Sequence, residues 1–327
     1  SPSRRGRNTG IDAADFSREL ARLLPTFLAG QRWYAGVERP SLQIRRIDTL
    51  VDGWPTLLWL LVEVRGHEGK GAPSWYQVPL GATPERPGHL PDAALLGRID
   101  TPRGAAHLFD ALADDHLALE FAHHVAPDLH LNSVRPLPGE QSNTSLVLDE
   151  RYILKVFRRV QPGPNPDVEV TEALGKVGFG GVPVPVAVWR RNNTDLAVVR
   201  RFERSRGDGF ELATTSLREM FNLRRPPRDC KLDFAADARL LGSDVARLHV
   251  ALAEAFGAEP ADGDAWASDM VAQLKRVASG RLDTDRITSI YERLRGAVDL
   301  GSAIRIHGDL HLAQVLRLQR HWMVLDF

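Results

Sequence analysis

The sequence predicts an α+β fold laid out in three blocks, and three observations carry that prediction. An amphipathic helical stretch is followed by strand-like runs broken by Gly and Pro, which reads as a small α+β domain over residues 1–92. Strand-length apolar runs then recur through residues 93–203 and add up to an antiparallel sheet of five strands. From residue 204 the apolar residues fall at helical spacing, until two short apolar runs close the chain.

At 327 residues there is room for two or three domains with substantial cores. Apolar residues make up 43% and charged ones 26%, which is ordinary for a globular protein and excludes a disordered chain. Forty-two Lys and Arg balance forty-two Asp and Glu, so no global field favours nucleic acid or an anionic membrane. Any site for phosphate must be local. The single Cys230 excludes an intramolecular disulfide and a cysteine zinc cluster, and it fits a reducing cytoplasm. Ser1 to Arg7 is basic but runs into no apolar stretch, so it is expected to be a disordered tail rather than a secretory signal. The apolar run Trp59-Leu60-Leu61-Val62 ends in charge well short of a membrane span.

In chain order, Ala13 to Leu28 is expected to be a helix with Phe16, Leu20, Leu23, Leu24 and Phe27 on one face. Strands follow at Leu42–Val51, Thr56–Val64 and Ser74–Leu80, and Trp33, Trp59 and Trp75 read most simply as core. The Pro/Gly-rich run from Pro84 to Pro91 marks a boundary, after which helices are expected at Ala105–Leu112 and His116–His124. His123 and His124 lack a third ligand at helical spacing and read as a solvated helix end. Strands at His130–Leu137, Thr144–Leu148, Tyr152–Phe157, Val182–Trp189 and Asp195–Phe202 complete the five-stranded sheet. In the last block, apolar stripes run through Leu241, Val245, Leu248, Leu252 and Phe256, through Met270, Leu274 and Val277, and through Ile287, Ile290, Leu294 and Val298. His249, beside the first stripe, is expected to be a buried, hydrogen-bonded histidine, and Arg224–Arg228 a solvated loop.

Three places carry chemistry. Between the first two strands of the sheet, Gly139-Glu140-Gln141-Ser142-Asn143 is a small polar turn whose backbone N–H groups can cradle phosphate oxygens. The strand Tyr152–Phe157 is apolar except for Lys155, and a lysine there costs free energy unless it is paired or snorkels to water. Asn165-Pro166-Asp167-Val168-Glu169 then opens a helix with Pro early and acids in the first turn, and both Glu169 and Glu172 lie on a plausible face to meet Lys155. Third, Ile304–Leu316 contains His307-Gly308-Asp309-Leu310-His311 and Gln314, and a short strand behind it delivers Asp326-Phe327. The plain alternative for this end is a strand–turn–strand in which His and Asp only cap a turn.

The spacing of that end resembles the protein-kinase catalytic loop H-R-D-x-x-x-x-N followed by D-F-G. H-G-D-L-H points to the small-molecule branch, the aminoglycoside phosphotransferase-like superfamily, and H-G-D-L-H-L-A-Q-V-L-R with W-M-V-L-D-F is most similar to bacterial maltokinases. Q-R-W-Y-A-G and W-Y-Q-V-P-L-G resemble their N-terminal cap, E-Q-S-N-T-S their phosphate loop and N-P-D-V-E-V their helix start. The resemblance implies a protein-kinase-like bilobal fold, a sheet lobe and a helical lobe, behind a small α+β cap. It implies ATP and Mg²⁺ as cofactors, with phosphoryl transfer to a sugar hydroxyl. Maltose, giving maltose 1-phosphate, is the first expectation, with glucosamine or an aminoglycoside as alternatives, and a catalytically silent nucleotide-binding fold as the non-enzymatic one. A partner enzyme of trehalose or maltose metabolism would follow from the same resemblance. Asp309 would orient the acceptor with His307 beside it in the catalytic set, and Gln314 and Asp326 would bind metal. Lys155, Ser142, Asn143 and Thr144 would hold phosphates, with Glu169 as the acid matching the family's. Arg200, Arg201 and Phe202 would meet adenine through main-chain groups. Two departures stand out. Phe210 replaces a tryptophan expected after Gly207-Asp208-Gly209, and the family continues past D-F with E-G-E-P and further helices that complete the acceptor pocket.

Overall fold

The computed structural model describes residues 13–36, 40–66, 72–101, 104–137, 142–230, 233–277 and 282–327. The expected tail at Ser1 to Arg7 and the turn residues Gly139, Glu140 and Gln141 lie outside the described residues. The chain divides into two compact units, Ser1–Glu169 with Pro183–Arg204, and Val170–Val182 with Ser205–Phe327.

The first unit opens with α1 (Ala13–Ala29), then β1 (Ser41–Val51), β2 (Thr56–Arg65) and β3 (Ser74–Thr83). β4 (Leu95–Thr101) and β5 (Gly104–Asp110) follow, and the sheet order is β1-β2-β3-β5-β4, antiparallel throughout. Two expectations are corrected here. The first sheet does not end near residue 92 but runs on to Asp110, and Ala105–Leu112 is mostly strand rather than helix. Ala105, Ala106 and Leu108 favour a helix locally, but pairing of β5 with both β3 and β4 overrides that preference.

β2 is buried on both faces, and its alternation sorts residues between two cores. Leu58, Leu60 and Val62 pack with Leu20, Leu24 and Leu28 of α1, whereas Leu57 and Trp59 join the core under the second sheet. α2 (Asp115–Val125), capped by the Asp114 carboxylate on the Leu117 N–H, contributes Leu117 and Phe121 to that second core. The second sheet contains β6 (Val134–Leu137), β7 (Thr144–Leu148) and β8 (Tyr152–Val156). After β9 (Arg159–Val160) and α3 (Pro166–Lys176), β10 (Pro185–Arg191) and β11 (Thr194–Arg201) complete it in the order β10-β11-β8-β7-β6. The two sheets are joined at Gln77, which is fully buried. Its amide donates to the carbonyls of Phe157 (2.9 Å) and Leu196 (2.5 Å) and accepts from the Trp59 indole (2.9 Å). β9 adds to the junction by pairing with β3.

The boundary between units falls inside α3. The second unit holds α4 (Gly209–Leu223), α5 (Ala235–Phe256), β12 (Ala258–Pro260), α6 (Gly263–Val277), α7 (Thr284–Glu292) and β13 (Ser302–Ile304). It ends on the hairpin β14 (Val315–Arg317) and β15 (Trp322–Val324). Its core gathers Leu174, Leu248, Leu252, Val315, Trp322 and Val324. The third expected stripe is not a core stripe. α7 buries no residue, Ile290 is exposed, and Leu294 and Val298 lie beyond its end. His249 is half-buried and makes no side-chain hydrogen bond among the described residues.

Candidate active site

The residues singled out in the sequence fall into two groups, one in each unit. In the first unit, Lys155 sits mid-strand in β8, between Ser145 of β7 and Val198 of β11. Its side chain is 12% exposed, and Nζ lies 3.5 Å from Oδ2 of Asp167. Arg200 reaches the same oxygen through Nη1 at 2.9 Å and the Asp167 carbonyl through Nη2 at 3.2 Å. Burial alone would push the Asp167 carboxyl up, but the cations of Arg200 and then Lys155 outweigh it and hold the group below the usual range. An ionised carboxylate thus stands buried between two cations.

The acid expected to position Lys155, Glu169, is exposed on the first turn of α3, and the structure adds Asp167 as a buried counter-ion. Pro166 is the first helical residue, and the Asn165 side chain accepts from the Asp167 N–H at 3.0 Å. That cap fixes where Asp167 enters the helix. Arg200 has a second task besides its strand position, since its side chain is the other clamp on Asp167. The Phe202 N–H donates to the Arg151 carbonyl at 2.8 Å, so this amide is already engaged within the sheet and is not available to adenine. Arg201 is exposed opposite Tyr152. Of the phosphate-loop residues, Asn143 donates to Ser142 Oγ (3.2 Å), and Thr144 opens β7 with its hydroxyl accepting from Arg158 Nε at 2.8 Å.

In the second unit the chain end is ordered by its backbone and one imidazole. His307 Nε2 lies 2.7 Å from the Leu325 carbonyl, and Nδ1 lies 3.3 Å from the Asp309 N–H. A carbonyl only accepts and an N–H only donates, so this pattern assigns the neutral Nε2–H tautomer. With both nitrogens engaged, His307 ties the Asp309 loop to the strand end that carries Asp326. Both ring nitrogens are engaged by main-chain groups, an arrangement suited to positioning the loop. Its ring also stacks on Phe327 at 4.6 Å. Gly308 has φ +88°, a left-handed conformation that favours glycine. Asp326 itself has φ +55°, a left-handed conformation that Asp adopts more readily than most residues. The Gln314 carbonyl accepts from the Leu325 N–H at 2.9 Å, fixing the backbone on either side of the hairpin.

Sequence reasoning missed the supports of this loop. The Arg206–Gly209 segment runs along β14, with the Arg206 N–H on the Arg317 carbonyl (2.8 Å) and the Arg317 N–H on the Gly207 carbonyl (3.0 Å). A Cβ on Gly209 would stand 2.7 Å from the Leu312 carbonyl, so the motif Gly207-Asp208-Gly209 serves close packing under the loop. Buried Asp244 accepts from the Trp322 N–H at 2.7 Å, and Asp237 accepts from Arg317 Nε at 2.6 Å. These acids belong to helical stretches of mixed charge, and no local signal marks them.

Asp309 and Asp326 are exposed and Gln314 half-buried. The Asp326 carboxylate and the Gln314 amide carbonyl are hard oxygen donors of the kind Mg²⁺ prefers, so the chemistry of the expected pair fits that ion. Among the described residues no three His, Cys, Asp or Glu side chains gather as a cage. Mg²⁺ held by few protein oxygens and by phosphate needs none.

Comparison with known proteins agrees with this layout. Residues 27–114 match the family model described as the maltokinase N-terminal cap domain. The chain is 28% identical over 217 residues to a glucosamine kinase of Mycolicibacterium smegmatis, covering 59% of this chain and 51% of that protein. It is 29% identical over 250 residues to a glucosamine kinase of Streptacidiphilus jiangxiensis, covering 68% and 55%. The chain thus spans about half the length of the curated relatives it matches. A solved glucosamine kinase in complex with glucosamine, ADP and inorganic phosphate aligns with a TM-score of 0.57 at 21% identity, over 95% of this chain and 72% of that one, a likeness of fold. Residues 27–114 thus resemble the maltokinase N-terminal cap domain, and along most of its length the chain shares the fold of a solved glucosamine kinase.

Proposed function

We propose that this protein takes part in ATP-dependent phosphoryl transfer to a sugar hydroxyl. The observation that carries the reading is the loop order around His307, whose ring joins the Asp309 amide to the Leu325 carbonyl and so fixes Asp309 relative to the strand end bearing Asp326. A mere turn cap would use one ring nitrogen, whereas both are engaged here.

In this reading Asp309 accepts the hydrogen bond of the attacking hydroxyl and orients it. Asp326 and Gln314 would hold Mg²⁺, which when bound neutralises charge on the phosphates. Lys155 donates to phosphate oxygens, and Asp167 helps to aim its ammonium. Glu169, on the same first turn of α3, is the acid that matches the family's by resemblance. Ser142, Asn143 and Thr144 supply loop donors. Positioning accounts for most of such catalysis, so a rigid loop matters more than any strong base.

For the acceptor, the names of both curated relatives favour an amino sugar, while the cap match keeps maltose in view. A nucleotide-binding fold without turnover is disfavoured, because it would not need Lys155, Asp309, Gln314 and Asp326 together. A cytoplasmic setting suits the single cysteine, and no described helix is long and apolar enough to cross a membrane. The test is an ATP-consumption assay with glucosamine, maltose and an aminoglycoside panel, with the product identified by mass. ADP release that depends on one sugar supports the reading. Nucleotide binding with no acceptor-dependent turnover by the full-length protein would remove it.

A further inference from the structure

A cavity of about 340 Å³ lies within the first unit, where the turn after α1 meets the start of β7. Its polar lining includes Arg32, Asp110, Thr144 and Arg158, with Trp33 beside them. The cap motif Gln31-Arg32-Trp33, which has no part in the reaction as read above, therefore faces a space of the size that small ligands occupy.

Arg158 is the reason to expect a ligand there. It is only 1% exposed, although it is a cation. Nε donates to Thr144 Oγ1 at 2.8 Å, Nη2 to Asp110 Oδ2 at 2.6 Å, and the guanidinium lies 4.8 Å from the Trp33 ring centre. Nη1 is buried and has no hydrogen-bond partner among the described residues. Unmatched buried donors are rare because each loses its bonds to water. Asp110 does not offer more, since its other oxygen accepts from the Leu112 N–H at 3.1 Å. The Thr144 hydroxyl, accepting from Arg158, keeps its own hydrogen to donate. Across the whole lining two cations, Arg32 and Arg158, face one acid, Asp110, which is already paired.

We propose that this cavity is a binding site for a small molecule with an oxyanion head, a phosphate or a carboxylate. The head accepts from Arg158 Nη1 and the Thr144 hydroxyl, Arg32 supplies charge at the rim, and the walls at Leu112, Pro136 and Leu146 leave room for a short carbon skeleton. Binding at the site does not depend on the kinase reading. One consequence does rest on it: Arg158 also holds Thr144, one of the residues expected to meet nucleotide phosphates, so a filled site would fix the place of Thr144.

The experiment is calorimetric titration of the protein with inorganic phosphate, then with acetate, scoring only binding that responds to this cavity's residues. Thr144→Val, Arg158→Lys and Arg32→Ala are compared with that parent. We expect the parent to bind at least one anion, with affinity at least tenfold lower in Thr144→Val and Arg158→Lys and a few-fold lower in Arg32→Ala. The anion that binds more tightly identifies the head group. Arg32 is exposed, so its variant keeps the test open if either buried change fails to fold. No binding of either anion to the parent, or unchanged affinity in Arg32→Ala and in whichever of the other variants folds, overturns the proposal. The titration needs no turnover, so loss of the kinase assignment would leave its result standing.

Discussion

The Lys155 group and the Asp309 loop are built on opposite principles. Around Lys155 the structure uses buried charge: one carboxylate, Asp167, held between two cations with side chains 12% and 9% exposed. Around Asp309 it uses backbone: glycine at a left-handed position, a neutral imidazole linking two main-chain groups, and exposed carboxylates. The difference teaches where stability and chemistry separate. A buried triad cannot lose a member without leaving an uncompensated charge, whereas an exposed carboxylate can be changed with little effect on the fold. Substitutions in the first group should therefore act on folding, and those in the second on turnover.

The largest effect is expected at Asp167. Asp167→Ala leaves Lys155 and Arg200 facing each other, and breaking a buried pair of this kind costs about 3–5 kcal/mol. Thermal unfolding should fall by roughly 10 °C, at the 2–4 °C per kcal/mol usual for units of this size. The pH dependence has a definite sign. The folded carboxyl is held below its ordinary value, so its contribution is fully present above the unfolded value near pH 4 and is lost as pH falls through the folded one. Asp167→Asn should flatten the acid limb of a stability–pH curve, and an unchanged limb would contradict the triad.

Asp326→Asn comes next and should break the comparison in the other direction. In the full-length protein with its sugar, turnover should drop by roughly a hundred- to a thousandfold, the scale of losing one electrostatic partner of the transition state. The unfolding temperature should stay within about 1 °C of wild type, as for other exposed surface changes. Wild-type rates would remove the metal-binding role.

The same contrast explains what was legible in the sequence. Lys155 stood out because one charge interrupts an apolar strand, and the five strands of its sheet were readable as strand-length apolar runs. The loop was readable because His307, Asp309, Gln314 and Asp326 keep a fixed spacing within 20 residues. Asp167 was not, because an acid after Pro166 looks like any first-turn acid. What buries it is Arg200, 33 residues away on another strand. Gln77 was hidden likewise, since its partners Phe157 and Leu196 lie 80 and 119 residues off. β5 was misread as helix because Ala-rich propensity is local and strand pairing is not.

His307→Ala sharpens the loop half of the comparison. It deletes the bonds to the Leu325 carbonyl and the Asp309 N–H, each worth about 1 kcal/mol. We expect kcat to fall roughly tenfold to a hundredfold with the KM for ATP little changed, since in the proposed reading the phosphates are held by Lys155 in the other group. If His307 instead transferred the proton, His307→Asn would be as inactive as alanine. As a positioning residue it should be partly restored by Asn, which can still donate through its amide.

The smallest effect is expected at Gly308, and it separates torsion from contact. At φ +88° a Cβ is disfavoured by its own backbone, yet nothing lies within 4 Å of where that Cβ would be. Gly308→Ala should thus cost only the left-handed penalty, about 1–2 kcal/mol, and lower the unfolding temperature by a few degrees. Gly209→Ala is the control, because its φ is ordinary and its Cβ would meet the Leu312 carbonyl at 2.7 Å. Backbone against backbone cannot give way without moving the loop, so that variant should lose more activity per degree of stability lost than Gly308→Ala does. If the two variants lose activity and stability in the same ratio, the loop is held by general packing. A steeper loss of activity in Gly209→Ala would show that the contact beneath Leu312 sets the position of Gln314.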